Sequence, residues 1–256
     1  MSGRVGLAVV MAGLLWCGSP GAATLDDLVR AYPQALSGSD GTTLTWRDGT
    51  RMPVGPAHAG QDAEALLGNA SILDQLDAVY PAGAPLAVPT GDPGRIRNQA
   101  LFDKMYGDCA AGQVTPNLVR VAWLPQSWNQ AVSITSVNGI DHQLEAVSRE
   151  LDALPAEFKK YVHPVAGTYV CRAVAGTGRK STHAWAAAID LNTAYSDYWR
   201  WSRRADGVFV YRNRFPPEIV AIFERHGFIW GGRWSHFDTM HFEYRPELLG
   251  TRPAAG

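Results

Sequence analysis

The sequence lacks an excess of either charge. Its 256 residues include 23 Lys and Arg and 24 Asp and Glu, which gives a formal net charge of -1 at pH 7. The basic residues form no long block of the kind that holds nucleic acid or an anionic bilayer, so we predict no nucleic-acid partner. Hydrophobic residues make up 46% of the chain, which suits one compact domain or a domain with a substantial N-terminal extension.

Long apolar runs are equally scarce. The one near the N-terminus, "VGLAVVMAGLLW", follows Arg4 and precedes the small residues of "CGSPGAATL". This run is too short for a comfortable transmembrane helix, and its basic start and small-residue end are typical of an export signal. We predict a signal peptide over residues 1–23, cut after Ala22 or Ala23. The mature protein would then be periplasmic or extracellular and have no transmembrane segment. A buried N-terminal helix is the alternative.

Cysteine is rare, with three residues in the chain. Cys17 would leave with the signal peptide, so the mature protein would keep Cys109 and Cys171. An even pair in an oxidising compartment favours a disulfide. Two thiolate ligands are the alternative, but a pair this far apart lacks the CxxC spacing of a zinc knuckle.

The chain also lacks internal repeats and any regular alternation of strands and helices. Helices are predicted in residues 25–33, 62–80, 141–154 and 216–227, and strands in 43–54 (a hairpin around Asp48-Gly49), 117–125, 133–137, 167–174 and 240–245. This mixture predicts an α+β fold with a largely antiparallel sheet. The sequence patterns typical of strands and helices are clearer from about residue 116 than before it. We therefore divide the mature chain into an N-terminal extension of unknown role, residues 24–115, and a main domain, residues 116–250.

Titratable side chains interrupt the apolar stretch "MHFEY" near the C-terminus. In a strand, His241 and Glu243 lie on one face, while Met240, Phe242 and Tyr244 lie on the other. We expect the apolar face to enter the core and the polar face to line a cleft.

Two further polar residues precede this strand. Asp238 lies three residues before His241, so a bend at Asp238-Thr239 is needed to bring the two side chains together. His236 lies five residues before His241, a spacing that suits neither one helix face nor one strand face. We therefore expect that the two histidines do not bind the same ion.

A second polar pair lies upstream in "STHAWAAAIDLN". His183 and Asp190 are seven residues apart, which fits one face of a helix, but "AAAIDLN" favours a strand with His183 on the turn before it. An aspartate between Ile189 and Leu191 is costly to bury without a partner. That partner is either a metal ion or backbone hydrogen-bond donors.

Together these residues have the chemistry of a catalytic metal site. Two imidazoles and one carboxylate, from His183, His241 and Asp190, make a zinc site with three protein ligands and a fourth position open to water. Asp238, left unligated, is suited to take a proton from that water and return it to a leaving amine. An arginine nearby would stabilise the developing oxyanion.

These two stretches resemble the zinc-dependent DD-peptidase family of bacterial cell-wall enzymes. That family contains D-alanyl-D-alanine carboxypeptidases and dipeptidases and L-alanyl-D-glutamate endopeptidases. Its motifs are S-x-H-x-x-G-x-A-x-D and [D/E]-x-x-H, and the positions that match them are Ser181, His183, Ala188, Asp190, Asp238 and His241. The resemblance covers about residues 115–250, with one departure, Ala186 in place of the motif's glycine. It implies the hedgehog/DD-peptidase fold, an α+β domain with a central antiparallel sheet.

The resemblance also implies roles for individual residues. His183, Asp190 and His241 would bind one zinc ion per chain, and Asp238 would be the general base and acid. Arg172 would stabilise the transition state, with Arg179 as the competing candidate for that role. Residues that would contact substrate are Ser181, Arg179 and Trp234, although an aromatic residue beside Gly231-Gly232 also suits simple packing. Glu243 would orient His241 from behind.

The function implied is hydrolysis of amide bonds in peptidoglycan stem peptides. Asp rather than Glu at position 238 resembles the endopeptidase branch slightly more than the carboxypeptidase branch. Two alternatives stay open. One is a zinc-containing module that binds wall peptides or a protein without cleaving them, and the other is a structural domain without metal.

Overall fold

The computed structural model describes residues 21–174, 177–204, 207 and 209–250. Most of the predicted signal peptide, residues 1–20, lies outside these ranges. Within them, no helix has both the length and the apolar character that a membrane crossing requires.

Helices and strands are mixed along the chain, as the sequence predicts for an α+β protein. The helices are α1 (Leu25–Ala31), α2 (Ala63–Asn69), α3 (Ile72–Asp77), α4 (Gln99–Tyr106), α5 (Ile140–Ala153), α6 (Ala156–Val162) and α7 (Pro217–Arg225). The strands are β1 (Leu36–Ser39), β2 (Thr43–Trp46), β3 (Arg51–Pro53), β4 (Leu118–Trp123), β5 (Gln130–Thr135), β6 (Ala188–Asp190), β7 (Phe228–Trp230) and β8 (His241–Tyr244).

All strand pairs that the structure describes are antiparallel, but they are divided among three small sheets. The orders are β1-β2-β3, β4-β5 and β6-β8-β7. The predicted hairpin around Asp48-Gly49 is the β2–β3 pair. In the third sheet, β8 lies between β6 and β7, so the strand that carries His241 is central and buried along its whole length.

Local sequence signals explain where most helices begin. Thr24 and Ser71 cap α1 and α3, each in a capping box with the aspartate three residues on. Ser71 also explains why the helical prediction for residues 62–80 is only partly right. Ala70 is extended, with ψ at 135°, and the chain begins a new helix at the next cap.

The predicted strand over residues 167–174 is wrong. The segment forms only two isolated bridges, between Gly167 and Asp190 and between Ala173 and Lys180. Its backbone groups bond instead to the turn before β6: the Val170 amide donates to the His183 carbonyl at 3.2 Å. Alternating apolar residues predict strand conformation, but the partner that takes the hydrogen bonds is set by tertiary structure.

One buried core crosses the predicted boundary at residue 115. It contains residues before the boundary, such as Leu28 and Phe102, and residues after it, such as Trp185 and Phe242. The Phe102 and Trp185 rings lie 5.0 Å apart. The predicted disulfide is also present between Cys109 and Cys171, whose Cα atoms are 5.7 Å apart. Residues 24–115 are therefore both packed against and covalently linked to the segment that carries the metal-site motifs.

Candidate metal centre

Strand register brings the first two candidate ligands together. In the antiparallel β6–β8 pair, Asp190 lies directly opposite His241, and directly opposite residues share a face of the sheet. The third, His183, lies on a 3₁₀ turn, Thr182–Trp185, immediately before β6. This turn ends at Ala186, which has a left-handed backbone conformation with φ at +53°. The glycine of the family motif would adopt that conformation without the strain that a Cβ introduces.

The three side chains converge to within hydrogen-bonding distance. Nε2 of His183 lies 3.2 Å from Nδ1 of His241 and 3.2 Å from Oδ1 of Asp190, and Nδ1 of His241 lies 2.9 Å from the same oxygen. Both imidazoles are buried, whereas the Asp190 side chain keeps about a fifth of its surface exposed (21%).

Each histidine is held through its other ring nitrogen. Nδ1 of His183 donates to the Thr168 carbonyl at 2.8 Å, and Nε2 of His241 donates to a Glu243 carboxylate oxygen at 3.0 Å. A hydrogen bond at one ring nitrogen fixes the tautomer and leaves the other nitrogen with a free lone pair. The remaining nitrogens, Nε2 of His183 and Nδ1 of His241, both face the Asp190 carboxylate, where each can carry a proton or bind a metal ion.

This donor set fits a zinc ion. Ligand atoms about 2.0–2.1 Å from a tetrahedral zinc lie roughly 3.3 Å apart, close to the separations in this cluster. Two imidazole lone pairs and a carboxylate repel one another unless a cation or proton lies among them. Burial opposes charge on His241, but its hydrogen bonds to Asp190 and Glu243 raise its pKa to about 10. The surroundings thus favour positive charge at the point where the three ligands meet.

Glu243 connects this cluster to the rest of the molecule. It is fully buried, and Arg97 holds both of its carboxylate oxygens, at 3.1 and 2.6 Å. It also accepts hydrogen bonds from Thr182 at 2.7 Å and from Arg245 at 3.2 Å. Although burial raises the pKa of Glu243, Arg97 and the other partners hold it well below the usual range, so Glu243 stays ionised behind His241.

The bend predicted at Asp238-Thr239 is present. The His241 amide donates to the Asp238 carbonyl at 3.2 Å, and the Asp238 amide donates to the Gly231 carbonyl at 3.0 Å. Gly231 is needed for this close approach, because a Cβ there would lie 2.5 Å from the Asp238 carbonyl oxygen. The turn therefore brings the Asp238 side chain into the same cleft as His241.

The Asp238 carboxyl differs from the other acids nearby. Its Oδ1 is buried and has no hydrogen-bond partner among the residues that the structure describes. Burial, reinforced by the Asp190 carboxylate, raises the pKa of Asp238 to about 7. A carboxyl group with these properties can both accept and donate a proton near neutral pH.

The three candidate ligands line a cleft of about 300 Å³. The other residues predicted to act there, Arg172, Arg179, Ser181 and Trp234, all line this cleft. The Ser181 amide donates to the Arg172 carbonyl at 3.1 Å, which ties the two residues together. Trp234 is buried, and its ring centroid lies 5.6 Å from that of His241.

His236 lies outside the ligand cluster, as the sequence predicts. Its Nδ1 lies 2.6 Å from an Asp92 carboxylate oxygen, and its backbone amide donates to the same side chain. It lines the cleft without joining the group of side chains that could hold a metal ion.

Sequence reasoning missed two arginines of the cleft. Arg95 and Arg97 come from the stretch assigned to the N-terminal extension, yet both line the cleft, and Arg97 also binds Glu243. The only local signal is two cations in the loop segment "GRIRN", where no periodicity indicates their direction.

Comparison with known proteins agrees with this geometry. Residues 175–244 match the model of a family described as D-alanyl-D-alanine carboxypeptidase. The matched stretch contains the three candidate ligands and Asp238, and it confirms the resemblance predicted from the two motifs. No curated protein matches the chain significantly. The match supports a peptidase.

Proposed function

We propose that the protein is an exported zinc peptidase that hydrolyses an amide bond in peptidoglycan stem peptides, on a fold of the hedgehog/DD-peptidase group. The observation that carries this proposal is the titratable Asp238 carboxyl group, whose buried Oδ1 has no hydrogen-bond partner among the described residues. It lies in the same cleft as two imidazoles and a carboxylate within 3.2 Å of one another. A site that only held a metal for structural purposes would need no such group.

In this proposal His183, Asp190 and His241 hold the zinc ion. Bound there, zinc would polarise the substrate carbonyl and make a water molecule acidic enough to attack at neutral pH. Asp238 accepts the proton of the attacking water and delivers it to the leaving amine. Arg172 stabilises the oxyanion, and Ser181 and Trp234 contact the peptide.

The bond cleaved is the terminal D-alanyl-D-alanine bond or the L-alanyl-D-glutamate bond of the stem. The description of the matching family favours the first. The aspartate at position 238 favours the second, because a base one methylene shorter lies differently relative to the water. An export signal and the Cys109–Cys171 disulfide agree with action outside the cytoplasm, where peptidoglycan lies.

Metal analysis combined with two variants tests the proposal. We expect about one equivalent of zinc per purified chain, and we expect His183→Ala to lose it. Asp238→Asn should keep the zinc and lose hydrolysis of stem peptides by roughly 10²- to 10⁴-fold. Asp197→Asn is a matched control, since Asp197 pairs with Arg214 outside the cleft.

The outcomes separate the proposal from its rivals. Zinc retention with no hydrolysis by the unmodified protein would favour a binding module. Full hydrolysis by Asp238→Asn would refute the proposed mechanism. Absence of zinc from the purified protein, with His183→Ala indistinguishable from wild type, would favour a structural domain.

A further inference from the structure

A second cavity adjoins the metal cleft. It has a volume of about 210 Å³ and lies between the C-terminal end of α2 and the start of α4. Three arginines, Arg95, Arg97 and Arg179, line both this cavity and the cleft. The cleft therefore continues into the second cavity past a row of guanidinium groups.

The walls of the second cavity carry positive charge and no carboxylate side chain. Its described lining contains four cations and neither Asp nor Glu. Three of these cations are paired with acids outside the lining. The pairs are Arg95 with Asp92 at 2.9 Å, Arg97 with Glu243 at 2.6 Å, and Lys180 with Asp103 at 2.7 Å and Asp108 at 2.6 Å.

Arg179 is the exception. Its guanidinium makes no hydrogen bond or ion pair with any residue that the structure describes. Only its backbone is bonded: the amide donates to the Thr177 hydroxyl, and the carbonyl accepts from the Val174 amide. Burial and the charges of Arg95 and Arg97 lower the pKa of Arg179. The charge of Glu64 acts in the opposite direction, but no described acid lies within ion-pairing distance of the guanidinium. An anion in the cavity would supply that direct partner.

One of the charges that line the second cavity also acts on the carboxyl group proposed to transfer the proton. The charge of Arg95 acts on Arg179 at one end and on the Asp238 carboxyl at the other. The same three arginines also line the cleft that contains the candidate ligands and Asp238. A peptide with its amide bond at the candidate ligands can therefore extend an anionic group to these arginines.

We propose that the second cavity is an anion subsite that binds a free carboxylate of the peptide substrate, with Arg179 as its principal contact. This inference rests on the peptidase function proposed above. Arginine suits the task because its planar guanidinium binds a carboxylate through two parallel hydrogen bonds. Arg95 and Arg97, which lie outside the matched stretch, contribute two more guanidinium groups to the walls of this subsite.

Stem peptides offer this carboxylate from two sources. One is the C-terminus of the peptide, next to a D-alanyl-D-alanine bond. The other is the α-carboxylate of the D-glutamate residue, next to an L-alanyl-D-glutamate bond. Both carboxylates would be recognised through the same kind of hydrogen bond. The source is therefore identified by testing which of the two carboxylates the protein requires for binding.

Calorimetric binding to zinc-loaded Asp238→Asn tests the subsite without turnover. One pair of probes is diacetyl-L-Lys-D-Ala-D-Ala as the free acid and as the C-terminal amide. The other pair is L-Ala-γ-D-Glu-L-Lys, in which the D-glutamate is joined to lysine through its γ-carboxyl group, with the D-glutamate α-carboxylate free or amidated. For one pair we expect the acid to bind at least about 10-fold more tightly, as a charge-assisted bidentate contact implies.

Further substitutions test whether Arg179 causes the preference for the acid over the amide. In the same background, Arg179→Gln should bind acid and amide equally, Arg179→Lys should keep part of the preference, and Arg149→Gln should keep all of it. Arg149 is a suitable control because it is an exposed arginine on α5, paired with Glu145. Thermal unfolding of each variant checks that the fold is intact.

The outcomes distinguish this proposal from the one on which it rests. Equal binding of acid and amide in both pairs, no binding of any probe, or a preference that survives Arg179→Gln would each overturn the subsite. Cleavage of stem peptides by the unmodified protein would leave the peptidase function standing in those cases. An Arg179-dependent preference without cleavage would support the subsite and contradict the peptidase function.

In the cleaving enzyme the same variant gives a kinetic signature. Arg179→Gln should raise KM for the acid substrate about 10- to 100-fold and leave kcat nearly unchanged, because the carboxylate is bound equally in ground and transition states. A fall in kcat at constant KM would instead assign Arg179 to the oxyanion and overturn the subsite.

Discussion

Glu243 connects the three candidate metal ligands to the side chains around them. It holds His241 at 3.0 Å and is itself held by Arg97 and Thr182. Such partners keep a ligand's tautomer and direction fixed before the metal arrives. Its effect should therefore be measurable on metal affinity, separately from stability.

We predict that Glu243→Gln weakens zinc binding about 10- to 100-fold, measured by competition with a chromogenic chelator. Glu247→Gln is the matched control, because Glu247 is as deeply buried and pairs with Arg245 at 2.6 Å but is not hydrogen-bonded to either histidine. Both variants should lower stability. Equal zinc affinity in the two variants would contradict the role given to Glu243.

Ala186 is a second residue whose contribution to stability can be measured by a single substitution. A non-glycine residue in the left-handed region costs about 1–2 kcal/mol, and Ala186 has φ at +53°. The extra backbone freedom of glycine in the unfolded chain offsets part of this cost. We predict that Ala186→Gly raises the free energy of unfolding by about 0.5–1 kcal/mol, measured by urea titration.

Ala187 gives the comparison for that measurement. It is equally buried but lies outside the positive-φ set, so Ala187→Gly should lower the free energy of unfolding. Destabilisation of similar size at both positions would show that the Ala186 methyl contributes more through packing than it costs through backbone strain.

Among the helices, α3 has a titratable cap. Asp74 accepts hydrogen bonds from the backbone amides of His58 and Ser71 and from the His58 ring. Although burial raises the pKa of Asp74, these bonds lower it to about 2. A carboxyl group whose pKa is depressed in the folded state stabilises the protein above its unfolded pKa of about 3.9. That contribution is lost as the pH falls towards 2.

We predict that Asp74→Asn lowers the free energy of unfolding by about 1 kcal/mol at pH 6, a figure reduced for solvent screening. The difference from wild type should shrink between pH 4 and pH 2.5. Asp77→Asn, at the exposed end of the same helix, should keep the wild-type pH dependence. A difference for Asp74→Asn that stays constant over this range would contradict the assigned cause.

Elements with strong local signals could be predicted from the sequence, and those defined by tertiary pairing could not. The 3.6-residue spacing of Leu144, Val147 and Leu151 predicts α5, and all three are buried there. The failed strand at 167–174 has an equally apolar pattern, but its backbone bonds to the turn at His183. Strand existence depends on a partner that no local pattern specifies.

The same limit applies to the candidate site. The match of "STHAWAAAID" to the family motif predicts His183 and Asp190 as ligands, and the strand pattern of "MHFEY" predicts that His241 and Glu243 share a face. The register that sets Asp190 opposite His241, and the reach of Arg97 from the N-terminal stretch, come from packing between distant segments. The burial and the charge state of the side chains in the candidate site therefore could not be predicted from the sequence.

At the scale of the whole molecule, residues 24–115 share a core with residues 116–250 and line the same cleft. Tyr32 packs edge-on against Tyr244, with ring centroids 6.4 Å apart, and its hydroxyl donates to Glu247 at 2.7 Å. Arg97 supplies the buried counter-ion of Glu243. Removal of the N-terminal stretch would take the bidentate Arg97 partner from the buried Glu243 and expose aromatic core surface to water.

We therefore predict that a fragment of residues 116–250 does not fold cooperatively, measured by circular dichroism during denaturant titration. Residues 24–250 should show one cooperative transition under the same conditions. A fragment that unfolds cooperatively and binds zinc would show that the N-terminal stretch is a separate addition.

Mass spectrometry of muropeptides digested with the zinc-loaded protein tests the central claim most directly. The account predicts products shortened by a terminal D-alanine or cut after L-alanine, none with Asp238→Asn, and none after zinc removal by a chelator. Undigested muropeptides with fully zinc-loaded protein, or equal digestion by Asp238→Asn, would contradict it.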